Sequence, residues 1–205
     1  PSQVGFMENL AKVQCIDWEK MDAFHMDEYI RLDENDTQTF GDFLLRHIFD
    51  KGPFRNVYFV NSKAADATSE GGRYEKLLLQ APVDIICMGI GENGHIAFND
   101  PPVAEFDDPQ RVKIVELDYI CRQQQVNDGC FGSLNDVSAQ AVTITIPTFL
   151  SASHLFCVVP AKTKAQAVYK TLNDPVSESC PATVLRRKKG AILYLDNDSS
   201  IELTS

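Results

Sequence analysis

The sequence predicts an α/β fold built on an open, mainly parallel sheet with helices on both faces. Three observations carry that expectation. Short apolar, β-rich runs alternate with stretches of helical period along the chain. One run, Ile85-Ile86-Cys87-Met88, is apolar without a break, as suits a strand covered on both faces. The length, 205 residues with 44% hydrophobic and 23% charged, suits one packed domain over 1–205.

Strands are expected at 56–61, 83–90, 111–117, 141–147, 154–159 and 191–195, with a weaker one at 21–26. Helices fall between them. Over 39–49 the residues Phe40, Phe43, Leu44, His47 and Ile48 recur on one stripe. Segments 64–80 and 162–172 are comparable, and 179–187 is shorter. Gly190 supplies a turn before the last strand. Residues 100–110, with three prolines and four acids, form the most loop-like stretch. His47 lies on the apolar stripe of its helix and reads as a packed histidine; His154, opening a strand, reads the same way.

Composition excludes several function classes. Nineteen Lys+Arg against 29 Asp+Glu leave a net charge of −10, which argues against nonspecific nucleic-acid or anionic-membrane binding. No apolar run approaches the roughly 18 residues a membrane span needs. No signal-peptide pattern opens the chain, whose first residue is Pro1 rather than Met. The six cysteines form no CxxC pair and no zinc-type spacing, and Cys87 and Cys157 sit in apolar runs as buried thiols. A reducing cytoplasm is the expected compartment.

The strongest chemical signal is the run Met88-Gly89-Ile90-Gly91-Glu92-Asn93-Gly94-His95-Ile96-Ala97-Phe98-Asn99-Asp100-Pro101. It follows a buried strand, so it falls at the carboxyl edge of the sheet, where open α/β folds bind ligands. Glycines 89, 91 and 94 allow a sharp turn and close approach to a ligand. The run is neither a dinucleotide fingerprint nor a P-loop, because His95 and an Asn-Asp-Pro turn follow where a long helix or Gly-Lys-Ser/Thr would stand. An imidazole inside such a loop can pass protons near neutral pH, and a neighbouring carboxylate would orient it. A second signal is Phe24-His25-Met26-Asp27-Glu28-Tyr29, two acids at a strand end. Successive side chains on a strand point to opposite faces, so Asp27 and Glu28 do not share one role, and capping of the next segment competes with chemistry as the explanation.

Asp27-Glu28-Tyr29, the 91–100 loop, and Lys164 after the 157–159 strand together resemble the glucosamine-6-phosphate deaminases (isomerases), with order and spacing matching over nearly the whole chain. The related 6-phosphogluconolactonases share the fold and the sugar-phosphate site. The resemblance implies a Rossmann-like sheet whose first strand and helix are missing from this chain. It implies a substrate with a C2 amine, an opening ring and a phosphate, and no metal or organic cofactor. Asp27 would be the base moving a proton between C2 and C1, and His95 would protonate the ring oxygen. Asp100 falls where the family usually has a glutamate that steers this histidine. Lys164 would contact the phosphate, and Ser2 and Gln3 match the end of the loop that cradles it at a helix N-terminus. Glu28, Gly91 and Gly94 are carried over as substrate-binding positions.

The departures are specific. Asn93 stands where many relatives have an aspartate; an amide can hold the imidazole by hydrogen bond but supplies no charge. Asp100 is one methylene shorter than glutamate, and Arg31 replaces a common glycine. Direct spacing puts Gln125 at the usual phosphate-binding arginine position, while Arg122, one helical turn earlier, has the planar fork suited to phosphate. The leading expectation is an amino-sugar-6-phosphate isomerase and deaminase. A lactone hydrolase and a catalytically weak sugar-phosphate-binding protein are the alternatives. The only partner implied is the small-molecule sugar phosphate. The choice between glucosamine and galactosamine 6-phosphate stays open, as does assembly into a homo-oligomer.

Overall fold

The structure, a computed structural model, describes residues 3–30, 39–117, 119–127, 129 and 131–203. Along the chain run α1 (Val4–Leu10), β1 (Asp22–Phe24), β2 (Asp27–Tyr29), α2 (Phe40–Leu44) continuing as a π-turn over Leu45–Phe49, β3 (Asn56–Tyr58), α3 (Ala67–Leu78) and β4 (Ile85–Met88). Then come β5 (Val112–Glu116), α4 (Tyr119–Asn127), β6 (Gln140–Ile144), α5 (Ile146–Ser151), β7 (His154–Val159), α6 (Ala165–Asn173) and β8 (Ala191–Leu195). Short 3-10 turns lie at Lys162–Lys164 and Pro181–Arg187. No helix among the described residues is long and apolar enough to cross a membrane.

The class is mixed α/β with mostly parallel pairing, but the strands form three groups. These are β1-β3, β2-β6-β5 and β4-β7-β8. β1–β3, β4–β7 and β7–β8 are parallel, and β2–β6 is antiparallel. The chain divides into two compact units, one taking in Gln3–Gln80 and Val112–Thr143, the other Ala81–Arg111 and Ile144–Ser205. The first holds a core that includes Tyr29, Ile30, Tyr74 and Val142; the second buries Met88, Ile96, Phe149, Leu155, Val159 and Val168. Fully burying each such side chain is worth about 1.5–3 kcal/mol.

Element ends follow from local hydrogen bonding. Asp66 accepts from the backbone of Thr68 and Ser69, which starts α3 at Ala67 rather than at 64. Thr39 caps α2 by accepting from Asp42 N. The strand expected over 141–147 stops at Ile144, because Pro147 sits in the first turn of α5, where a missing N–H costs nothing. β3 stops at Tyr58, because side chains capture the backbone beyond it. Arg73 donates to Phe59 O, His25 Nε2 accepts from Val60 N, and Glu70 accepts from Asn61 N. The segment 179–187 winds as a 3-10 turn from Pro181, not as an α-helix. Helices α1, α4 and α5 have no counterpart among the helices expected from periodicity; at seven, nine and six residues they are too short to show a clear period.

Two histidines and one cysteine differ from expectation. His154 is exposed. His47 is half-buried, with Nδ1 3.5 Å from Glu8 Oε1 and its ring against Phe43. Cys157 is buried, and burial pushes its thiol up to about 12; Cys87 is only half-buried.

Candidate functional site

In the second unit the parallel strands β4 and β7 bring two expected regions to one carboxyl edge: the loop after Met88 and the turn leading to Lys164. The loop is closed by Gly91 N donating to His95 O at 3.0 Å and Gly94 N donating to Gly91 O at 3.0 Å. The imidazole of His95 lies against Gly91, where an added Cβ would meet its Cε1 at 2.1 Å. Glycine is required here by space. At Gly94 it is required twice, by φ +85° and by Cys180 Sγ 2.5 Å from where a Cβ would stand. Ala182 N donates to Gly94 O at 2.8 Å, so the 3-10 turn after Pro181 backs the loop.

Asn93, His95 and Asp100 are brought together. His95 Nδ1 lies 2.9 Å from Asp100 Oδ1. Asn93 Nδ2 donates to the same Oδ1 at 2.8 Å, and Asn93 Oδ1 accepts from His95 N at 3.0 Å. The amide therefore does not hold the imidazole ring, as the sequence suggests; it holds the backbone of His95 and the carboxylate that touches the ring. The contact is at ion-pair distance without hydrogen-bond geometry: His95 Nδ1 makes no hydrogen bond in the structure. Asp100 is 3% exposed, and His95 keeps 13% of its side chain accessible. Asn99, fully buried, pins the far side of the loop by donating from Nδ2 to Ile96 O and Ile144 O, both at 2.9 Å.

Lys164 ends the 3-10 turn and caps α6. Its turn begins at Ala161, whose φ of +84° is rare for a residue with a Cβ. Asp196 Oδ2 accepts from Ala161 N at 3.0 Å and Oδ1 from Ser199 N at 2.7 Å, and these backbone bonds hold the Asp196 carboxyl below its usual range. Sequence reasoning missed Asn99, Cys180, Ala161 and Asp196. The asparagine lay inside the motif already singled out; the others act through contacts distant in sequence.

In the first unit Asp27 opens β2, half-buried, opposite Thr143 of β6. Glu28 turns inward and is 1% exposed. It accepts from Tyr29 N (2.9 Å), Phe40 N (3.0 Å) and Gly41 N (2.8 Å). Burial pushes its carboxyl up to about 7, against the three N–H donors that favour the ionised form. His25 does not share a strand with Asp27. β1 ends at Phe24, and His25 is buried with Nε2 accepting from Val60 N at 2.7 Å and its carbonyl accepting from Tyr74 Oη at 2.6 Å. Burial drives its imidazole down to about 3, so the ring is neutral.

Arg122 uses one Nη to donate to Leu134 O and Val137 O at 2.7 and 2.9 Å, holding the turn after α4, while Gln125 is buried. Gln3 is the N-cap of α1. Ser2 and Arg31 lie outside the described residues.

Against known proteins, residues 3–194 match the family described as "Glucosamine-6-phosphate isomerases/6-phosphogluconolactonase". The chain belongs to this family. Glucosamine-6-phosphate deaminases of Bacillus thuringiensis (strain Al Hakam) and Bacillus cereus (strain B4264) are 35% identical over 198 residues, which is 97% of this chain and 73% of theirs. Among solved structures, a monomeric glucosamine-6-phosphate deaminase superposes with TM-score 0.85 at 28% identity, covering 96% of this chain and 82% of that one. A 6-phosphogluconolactonase from Thermotoga maritima gives 0.74 at 18% identity over 95% and 81%, a likeness of fold.

Proposed function

We propose that this enzyme converts an amino-sugar 6-phosphate and water into a ketose 6-phosphate and ammonia. The observation that carries the reading is the His95–Asp100 pair, 2.9 Å apart on a glycine-bounded loop at a parallel-sheet edge. The 35% identity to proteins named glucosamine-6-phosphate deaminase supports the same choice.

In this reading His95 protonates the ring oxygen as the ring opens, while Asp100, 2.9 Å from Nδ1, stabilises the imidazolium. Asp27 takes the proton from C2 and returns one to C1, leaving a C2 imine that water hydrolyses with release of ammonia. Lys164 supplies a cation for the phosphate from the start of α6, and Ser2, Gln3 and Arg122 are the further phosphate-side positions. Neither proton-transfer role requires a metal or organic cofactor.

The test is ammonia release from glucosamine 6-phosphate and galactosamine 6-phosphate, with 6-phosphogluconolactone hydrolysis measured beside it. Ammonia from either amine is expected, with none in the Asp27→Asn variant. Lactone hydrolysis without ammonia release would overturn the assignment.

A further inference from the structure

We propose that Glu28 is a positioning residue for Asp27: its carboxylate ties the strand carrying Asp27 to the first turn of α2 and so fixes the direction in which Asp27 points. The proposal rests on the reading of Asp27 as the proton-transfer base.

Adjacent residues of a strand send their side chains to opposite faces, so the orientation of one sets that of the other. Glu28 is anchored inward by three backbone donors, on Tyr29, Phe40 and Gly41. Two of these begin α2, where the first N–H groups have no partner within the helix. A Cβ at Gly41 would press on Phe59 Cδ1 at 3.1 Å, beside the carboxylate, while standing at ordinary packing distance, 3.5 Å, from Glu28 Oε2.

Upstream of Asp27 the backbone is pinned as well. His25 accepts from Val60 N through its ring and from Tyr74 Oη through its carbonyl. Asp27 thus sits between two fixed points, two residues before it and one after. Both Glu28 oxygens are engaged with the protein's own backbone. That speaks against the substrate-binding role the family resemblance suggests for it. The arrangement pre-orients the neighbouring carboxylate, and angular looseness at a reacting group is expressed in kcat.

The experiment compares Glu28→Gln, Gly41→Ala, Thr39→Ala and Asp27→Asn on glucosamine 6-phosphate, measuring kcat, KM and urea stability of each full chain. Glutamine keeps the size of Glu28 but turns an NH2 toward a backbone donor, losing at least one bond. Its kcat should fall about tenfold to a hundredfold with KM within about twofold. Gly41→Ala, which leaves both acids in place and forces Phe59 and the first turn of α2 to give beside the anchor, should shift kcat the same way by less. Thr39→Ala removes the cap bond to Asp42 N from the same helix start without touching the anchor. It should lose stability while keeping kcat.

A raised KM with intact kcat in Glu28→Gln would make the carboxylate a substrate contact and overturn the proposal. So would a kcat loss in Thr39→Ala that scales with its lost stability, or unchanged kcat in both anchor variants. Turnover surviving in Asp27→Asn would remove the base reading itself. Turnover lost there, with Glu28→Gln unaffected, would remove only the positioning role.

Discussion

His25 and Glu28 respond to acid in opposite directions, and each can be exposed by removing the other. The two are buried together, with His25 Nδ1 4.0 Å from Glu28 Oε2. Burial holds the His25 imidazole at about 3, below its ordinary 6.5, so its contribution to stability is present above pH 6.5 and lost as pH falls toward 3. Burial raises the Glu28 carboxyl from 4.5 to about 7, so its contribution is present below pH 4.5 and lost as pH rises through 7. Between pH 7 and pH 5 the histidine costs about 2 kcal/mol and the carboxyl returns about 2 kcal/mol, so the pair nearly cancels. Glu28→Gln leaves the histidine uncompensated and should lose about 2 kcal/mol more than the parent over that interval. His25→Gln leaves the carboxyl and should gain about 2 kcal/mol relative to the parent. Glu70, which acts on His25, and Asp42, which acts on Glu28, are present in all three proteins. Urea unfolding at the two pH values, followed by fluorescence of the single tryptophan, Trp18 of the same unit, reads the difference. Identical pH responses in the parent and both variants would refute the assignment of opposed protonation states.

Gly91→Ala would place a methyl 2.1 Å from His95 Cε1, so the imidazole must move; ammonia release should fall about a hundredfold or more while circular dichroism stays unchanged. Ala161→Gly relieves a positive φ that costs an alanine about 1–3 kcal/mol, partly offset by glycine's greater chain entropy; a net gain of about 1 kcal/mol should appear as a higher melting temperature. Asn93→Asp would face a second carboxylate toward Asp100 Oδ1 across 2.8 Å; kcat should drop about tenfold near neutral pH and recover partly when Asp100→Asn is added, as the pH profiles of both variants would reveal.

How much of this was legible in the chain depends on whether the relevant partner lay nearby in sequence. The apolar, β-rich runs over β7 and β4 required only their own residues, and both strands form within the expected ranges, although Ile85 of β4 is exposed rather than covered. The loop at 91–100 was equally local, since its glycines, His95, Asn93 and Asp100 fall within ten residues and bond to one another. β2 was not legible as a separate strand. Its separation from β1 depends on His25 capturing Val60 N and on Tyr74 reaching His25 O, contacts 35 and 49 residues away. The anchoring of Glu28 needed Phe40 and Gly41, and the strain at Ala161 needed Asp196. Arg122 has the chemistry of a phosphate ligand in isolation; the carbonyls of Leu134 and Val137 that occupy one of its nitrogens appear only once the chain has folded.

The same local logic links the two positions at which this sequence departs from the family pattern in the loop. Read singly, an amide at 93 removes a charge and a shorter acid at 100 reduces reach. In the structure they are one arrangement: Asp100 Oδ1 accepts from Asn93 Nδ2 and lies against His95 Nδ1 at nearly equal distances. A carboxylate has lone pairs for both. A second acid at 93 would have no proton to donate and would repel Asp100, whereas the amide brings the carboxylate to the ring and still accepts the backbone N–H of His95. The shorter Asp100 reaches because Asn99, bonded to Ile96 O and Ile144 O, pins the loop just before it. The two departures therefore form one contact set, an acid at 100 held by the amide at 93 beside the imidazole of His95.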